Sequence, residues 1–507
     1  MNSIRQNTVA NYIGRAGGIV LAYLFIPVYL KFLGIEAYGL VGFYSTLLGV
    51  LAFVDMGLTA TLSREMARLS VLKDTAGKMR DLLRTYEYLY LFISLAVALL
   101  IWVFAPFIAE RWLQAGALPT YKIAAAIRLM GMAIALQLPS GLYNGGLLGL
   151  QKQVSYNSLQ IAWGVFRGAG AVLILWLFSP TIIAFAFWQL FSNAVYCLAI
   201  RLMLWRGLPR ADPRPRFNRI LIRDTWHYAA GMVGITICST LLVQTDKIAV
   251  SKMLPLEMFG YYTLAGALAS VPIMLANPIG VAIFPRLTGL VSLGEKDTLK
   301  QFYHRACGLV SIAVLPAALT LTAYMGRFIF AWTGSAVAAQ KAGPAASLLL
   351  GGSIIQAIMI IPYYLALAHG NIKLNLMLGI VSVVLIIPLL ILLIMKYGII
   401  GGGVSWLMMN LCTLPIYIFF IHRRFLPGEL WTWVLRDVGR PLIVALPIIL
   451  LSRWLFLLPS SRILTFGLMG LVWSVSAAAA AITIPDLRKE IILLIRKFTG
   501  ISYGLPK

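Results

Sequence analysis

The chain has 507 residues, 60% of them hydrophobic and 12% charged, with a formal net charge of +25 and a mean hydropathy of +0.87. That balance excludes a soluble globular domain, and with it a nucleic-acid binder, despite the basic charge. A phosphate-cradling Gly-Lys-Ser/Thr signature is absent, as are a carboxylate pair and a nucleophile constellation, which argues against direct ATP use and against a membrane glycan ligase or polymerase.

From the N-terminus, Met1–Ala10 is too short and polar for a targeting sequence, so the first apolar run reads as a retained anchor. Charge-free windows then recur, among them Tyr88–Ala109, Gly168–Ile200, Met258–Pro285 and Ile463–Pro485. A spanning helix needs about 20 mainly apolar residues. The pattern predicts an all-α integral membrane protein with about fourteen helices, near 10–32, 39–62, 86–109, 120–148, 154–177, 181–204, 226–250, 258–284, 305–326, 345–368, 373–395, 399–421, 437–456 and 463–484. Turn chemistry marks several breaks: Ser179-Pro180, His369-Gly370-Asn371, and Gly398 with Gly401-Gly402-Gly403. Asp486–Lys507, with charged ends around Leu487–Lys497, reads as a basic amphipathic helix on the membrane surface.

Placed on these spans with the N-terminus inside, 29 of the 42 Lys and Arg residues fall on one face, 9 on the other and 4 within helices. The bias predicts that both termini lie on the cytoplasmic side. The densest loop, 201–223, centres on Arg210-Ala-Asp-Pro-Arg-Pro-Arg216 and suits either orientation alone or an anionic lipid headgroup.

Lys31-Phe-Leu-Gly-Ile-Glu-Ala-Tyr-Gly39 is repeated as Lys252-Met-Leu-Pro-Leu-Glu-Met-Phe-Gly260, at a constant offset and after the same topological step. This predicts two parallel six-helix bundles around a central cavity, with two extra C-terminal helices. The expected domains are a lobe at 1–205, a basic linker at 206–224, a second lobe at 225–422, helices 13–14 at 423–485 and the tail at 486–507.

Charges at bilayer depth are the strongest functional signal, because each costs roughly 2.5–3.5 kcal/mol on insertion scales unless it faces water or a partner. Arg167 lies about 18 Å into its helix, Arg128 about 12 Å and Arg15 about 7–8 Å. Arginine's planar fork suits phosphate, so Arg15, Arg167 and Arg128 are expected to capture, hold and release an anionic group. Snorkelling is the competing reading for Arg15. Asp55, Asp246 and Lys247 are candidates for ion coupling or gating, and Asp55 is placed to pair with Arg15. Gln137, Asn144, Gln160 and Asn277 are uncharged polar cavity candidates, with interhelical hydrogen bonding as the plainer role. The histidines show no metal-ligand spacing, and no cofactor is expected beyond a proton or sodium gradient. A drug/cation antiporter should prefer acids where this chain has arginines.

Phe25–Gly39, Val54-Asp-Met-Gly-Leu-Thr-Ala-Thr-Leu-Ser-Arg64, Gln244–Lys252 and Ile283-Phe-Pro-Arg286 together resemble the polysaccharide-transporter branch of the multidrug/oligosaccharidyl-lipid/polysaccharide exporter superfamily, most nearly its Wzx-type O-antigen flippases. The resemblance spans about residues 8–422. It implies a flippase that moves undecaprenyl-diphosphate-linked oligosaccharide from the cytoplasmic to the periplasmic leaflet by alternating access, among membrane lipids and other glycan-assembly membrane proteins. A lipid II-type flippase fits the same pattern.

Overall fold

The computed structural model describes residues 2–55, 57–209, 215–219, 240, 243–455 and 461–483. The tail at 486–507, Arg210 to Arg214, most of helix 7 and the side chain of Arg15 lie outside the described residues. The described chain is helical, with one isolated bridge between Gln114 and Pro255. Eleven of its helices are long and apolar enough to cross a membrane. Its contacts separate into two compact units, Met1–Gly260 and Tyr261–Lys507.

The first unit contains α1 (Asn2–Leu51), α2 (Leu58–Ser70), α3 (Ala76–Phe107), α4 (Thr120–Gly149), α5 (Gln153–Leu177), α6 (Ile182–Gly207), α7 (243–253) and the start of α8 (Leu256–Ala269). The sequence predicts separate helices at 10–32 and 39–62. Two helices do meet there, at a kink in α1 where Gly34 leaves helical geometry (φ 78°, ψ 170°), but the second is interrupted after Leu51. A short 3-10 turn ends there at Asp55, and Gly57 takes a left-handed φ of 68° before α2 begins. The turn carries a single charge, Asp55, and the residues on either side of it, to Leu51 and from Leu58 to Leu62, are mainly apolar, so hydropathy does not register it.

Within this unit α4 packs against α2, α3 and α6, while α1 packs on α5. Small residues allow the closest approaches, as expected where lipid supplies no hydrophobic drive between helices. Gly145 and Gly149 form an i, i+4 step on α4. A Cβ at Gly145 would lie 2.6 Å from the Thr59 carbonyl oxygen, and one at Gly149 2.3 Å from that of Ser63. Around them Leu62, Met66, Leu83, Tyr86, Leu142, Leu147 and Leu204 form a buried core.

The two copies of the sequence repeat pack on one another. A Cβ at Gly39 would meet the Leu256 carbonyl oxygen at 2.5 Å, and a Cβ at Gly260 would meet the Ile35 carbonyl oxygen at 2.3 Å. Ile35 and Leu256 occupy equivalent repeat positions, so the contact is reciprocal. A clasp closes around this pair. Trp112 Nε1 donates to Ser251 Oγ at 3.1 Å, the Leu256 amide donates to the Gln114 carbonyl at 2.8 Å, and the Glu36 carboxylate accepts the Gly116 and Ala117 amides.

The second unit continues through α9 (Val271–Leu293), α10 (Lys296–Ala323), α11 (Met325–Thr333), α12 (Ala336–Ile358), α13 (Ile360–Ala368), α14 (Ile372–Tyr397), α15 (Ile399–Phe425), α16 (Leu430–Thr432, passing into a π-type turn to Gly439), α17 (Arg440–Leu455) and α18 (Arg462–Ile482). The expected helix at 258–284 is divided at Ser270, where Pro272 opens α9. α12 and α15 pack closely because Gly352 and Gly403 leave room for Trp406 and Leu348. α10 also packs on α17 and α18. At its start, His304 is buried between two carboxylates, with Nδ1 2.5 Å from Asp437 and Nε2 3.0 Å from Glu429, and Lys300 pairs with Glu429.

Candidate functional site

Arg167 sits in the middle of α5, half-buried. Trp163 lies one turn earlier on the same face, so the guanidinium carbon rests 4.5 Å from the indole centroid, a cation–π distance. The indole is fixed in turn: Nε1 donates to Ser192 Oγ at 3.1 Å, and the ring stacks on Tyr196 at 4.4 Å. Trp188 Nε1 donates to the Arg167 carbonyl at 3.0 Å. Two α6-facing indole contacts therefore hold this stretch of α5.

α1 approaches from another side. Gly168 and Gly170 admit Phe25 and Trp188, since a Cβ at either would fall about 2.1 or 2.0 Å from those rings. Tyr29 donates to the Gly168 carbonyl, next in sequence to Arg167, at 3.4 Å. Tyr44 donates to Gln137 Oε1 at 3.5 Å and accepts from Asn193 Nδ2 at 3.3 Å, while Asn193 also donates to the Ala133 carbonyl. Arg167 thus joins a polar seam of Tyr29, Tyr44, Gln137 and Asn193, floored by Trp163. Among the described residues neither Arg167 nor Arg128 has a carboxylate within ion-pair distance.

Arg128, on α4, lies over Trp102 of α3 at 5.2 Å, and its Nε is buried without a hydrogen-bond partner among the described residues. It therefore meets a different aromatic surface from Arg167. Arg15 is on α1, and its contacts fall outside the described residues. Asp55 closes the turn before α2, where Tyr90 donates to Oδ1 and Thr59 donates to the same oxygen at 2.5 Å. Lys247 donates to Gln244 Oε1 at 3.2 Å, and the Gln244 amide lies against Gly49 of α1. Asp246 is half-buried on the same helix. Asn144 accepts from Tyr196 at 3.0 Å, Gln160 is half-buried on α5, and Asn277 is exposed on α9. No group of three metal-ligating side chains that would hold an ion occurs among the described residues.

Sequence reasoning passed over Glu87. This half-turn of α3 gathers Arg201 Nε at 2.8 Å, Trp205 Nε1 at 2.8 Å and Tyr143 Oη at 2.9 Å on one oxygen, and Arg84 at 3.0 Å on the other. An acid at the edge of the long charge-free run that begins at Tyr88 was the available signal. Apart from Arg84, its partners lie 56 to 118 residues away in sequence and left none.

A family model described as polysaccharide biosynthesis protein matches residues 4–291, more than half of the chain. The chain belongs to that family. It is 23% identical over 415 residues to a Shigella flexneri protein described as an O-antigen transporter, covering 80% of this chain and 94% of that one. Over 286 residues it is 23% identical to the succinoglycan biosynthesis transport protein ExoT of Rhizobium meliloti, covering 56% and 53%. Among solved structures it resembles the lipid II flippase MurJ in an inward closed conformation, with a TM-score of 0.69, 13% identity, and coverage of 96% of this chain and 99% of that one. It also resembles an inward-facing multidrug resistance MATE family transporter of the MOP superfamily, with a TM-score of 0.66, 13% identity, and coverage of 82% and 96%. At such identity these two establish the fold alone, which the chain shares with both. The protein is accordingly a multi-pass membrane transporter of the polysaccharide biosynthesis family, not an enzyme.

Proposed function

We propose that this protein flips undecaprenyl-diphosphate-linked oligosaccharide, of the O-antigen repeat-unit kind, from the cytoplasmic to the periplasmic leaflet of a bacterial inner membrane. It does so by alternating access, as a chain of fourteen helices with both termini inside, two parallel six-helix repeats and two added helices. Arg167 binds the diphosphate, assisted by Arg128 and Arg15. Trp163 and the Tyr44–Gln137–Asn193 seam provide a flat apolar face and hydroxyl-matching groups suited to sugar rings. Asp55 and Asp246 are the candidates for coupling to a proton or sodium gradient.

The observation that carries this reading is Arg167 itself: a deep guanidinium held over an indole, without a carboxylate partner among the described residues. Stacking fixes the plane of the fork while leaving its edge N–H donors free for an anion. A cation antiporter would place its charge the other way.

Loss of a charge-assisted hydrogen bond should weaken substrate binding roughly 10- to 100-fold. Arg167→Ala should therefore abolish surface polysaccharide in a complementation assay while membrane insertion stays normal. Arg167→Lys should restore only part of it, because an ammonium cannot form the bidentate pair. Wild-type glycan from Arg167→Ala would refute the central role. Transport that persists after both gradients collapse would assign Asp55 and Asp246 to structure.

A further inference from the structure

A second basic site lies away from Arg167, at the end of α3 that the charge bias assigns to the cytoplasm. Arg84, Tyr88, Pro215, Arg216 and Phe217 enclose an open cavity of about 570 Å³. The segment at 215–218 is tied down by its backbone. The Arg216 amide donates to Asp81 Oδ1 at 2.8 Å, and the Asn218 amide donates to Thr85 Oγ1 at 2.9 Å. This leaves the exposed Arg216 side chain at the rim. The Arg84 guanidinium lies 5.0 Å over the Tyr88 ring, and Phe217 meets that ring edge-on at 6.0 Å. Arg80, one turn before Arg84 on α3, stacks on Trp205 at 5.3 Å.

The nearby acids are engaged. Asp81 accepts the Arg216 amide, and Glu87 is divided among Arg84, Arg201, Trp205 and Tyr143. Arg84 and Arg216 line the cavity and no carboxylate is among its lining residues, so it keeps a positive surplus. Its depth is equally informative. Tyr88 opens the charge-free run that ends at Ala109, so the cavity straddles the change from polar to apolar sequence. Beyond it, Tyr88, Leu91, Leu95 and Leu99 follow at helical spacing and are 47%, 54%, 61% and 64% exposed. An apolar stripe thus leads directly out of an arginine pocket.

We propose that this pocket binds the phosphate of a membrane lipid whose acyl or prenyl chain lies along the exposed face of α3. Arginine forks match phosphate oxygens, and aromatic side chains suit the interfacial depth. A soluble phosphate compound would have no use for the stripe. Two sources share this chemistry: the polyprenyl diphosphate of the transport substrate and a bulk anionic phospholipid. Only assignment to the substrate rests on the flippase reading above.

The test uses the full-length protein in phosphatidylcholine nanodiscs, titrated separately with undecaprenyl diphosphate and with phosphatidylglycerol, and bound lipid is read by native mass spectrometry. An Arg167→Ala background removes the deep site, so failure of that reading leaves this measurement intact. Arg216→Gln, at an exposed position, should weaken binding of one or both lipids about fivefold, and added salt should weaken wild-type binding. Arg84→Gln and Phe217→Ala should act in the same direction. Loss confined to phosphatidylglycerol identifies a bulk-lipid site, whereas loss confined to undecaprenyl diphosphate, with slowed glycan export, identifies substrate entry. Wild-type affinity for both lipids in Arg216→Gln would overturn the proposal, and a folding defect in Arg84→Gln would not obscure that result.

Discussion

The reciprocal contact between Gly39 and Gly260 gives a prediction whose size follows from distances. An alanine Cβ at position 39 would sit 2.5 Å from the Leu256 carbonyl oxygen and 3.3 Å from the Gly260 nitrogen, and one at 260 would sit 2.3 Å from the Ile35 oxygen. Carbon–oxygen contacts settle near 3.3–3.6 Å, so either substitution must push the two helix starts apart by roughly 1 Å. Such overpacking costs about 1–3 kcal/mol, while alanine in place of glycine within a helix returns about 0.5–1 kcal/mol. Each single variant should therefore lose about 0.5–2 kcal/mol. The separation forced by the first methyl makes room for the second, so Gly39→Ala with Gly260→Ala should cost less than the sum, with a coupling of at least about 0.5 kcal/mol. Denaturant unfolding of all four proteins in detergent closes the cycle. Additivity within roughly 0.3–0.5 kcal/mol, or a stabilised single variant, would refute the shared contact.

Two other substitutions probe buried polar clusters. Burial pushes the Glu429 carboxyl up, but hydrogen bonding from Lys300, with Thr432 and His304 and the Lys300 charge, outweighs it and holds the group below the usual range. A depressed folded-state value stabilises above the unfolded carboxyl range near pH 4.3 and is lost as pH falls through the lower folded value. Glu429→Gln should then lower thermal stability at pH 7, with the difference from wild type shrinking below about pH 4 in a pH series of melting curves. Tyr90→Phe removes one of two hydroxyl donors to Asp55 and should cost about 1–3 kcal/mol in unfolding experiments; a neutral result would mean Asp55 is solvated or repartnered.

Most helices were legible from the sequence because lipid imposes a single requirement, about 20 apolar residues per crossing. Thus 120–148, 154–177 and 463–484 match α4, α5 and α18 within a few residues. Breaks that rest on backbone conformation within an apolar run were not legible: the one after Leu51 rests on the left-handed φ of Gly57, and the Ser270 break on Pro272 two residues later. At the candidate site, the Arg167–Trp163 pairing follows from i, i+4 spacing and was available. The supports from Tyr196, Trp188 and Tyr29 were not, because they depend on which helices pack together. Glu87 illustrates the same limit: Arg84 is three residues away, but Tyr143, Arg201 and Trp205 arrive from α4 and α6.

The disposition of the acids in the first unit gives the deep arginines their meaning. An intramembrane guanidinium is tolerable when paired, and this unit contains carboxylates that might have served. Each of three is committed elsewhere. Glu36 accepts the Gly116 and Ala117 amides, Asp55 accepts the Thr59 and Tyr90 hydroxyls, and Glu87 is shared by Arg84 and Arg201. Arg167 and Arg128 instead have indoles, which stabilise a cation by about 0.5–2 kcal/mol without neutralising it. A design concerned with stability alone would place Asp or Glu within reach, because a buried charge left uncompensated costs several kcal/mol. Retaining the charge over a rigid aromatic face is sensible if the compensating anion arrives with the cargo and departs with it. An acid introduced within ion-pair reach of Arg167 should therefore stabilise the empty protein and yet block transport, separating stability from function in a single variant.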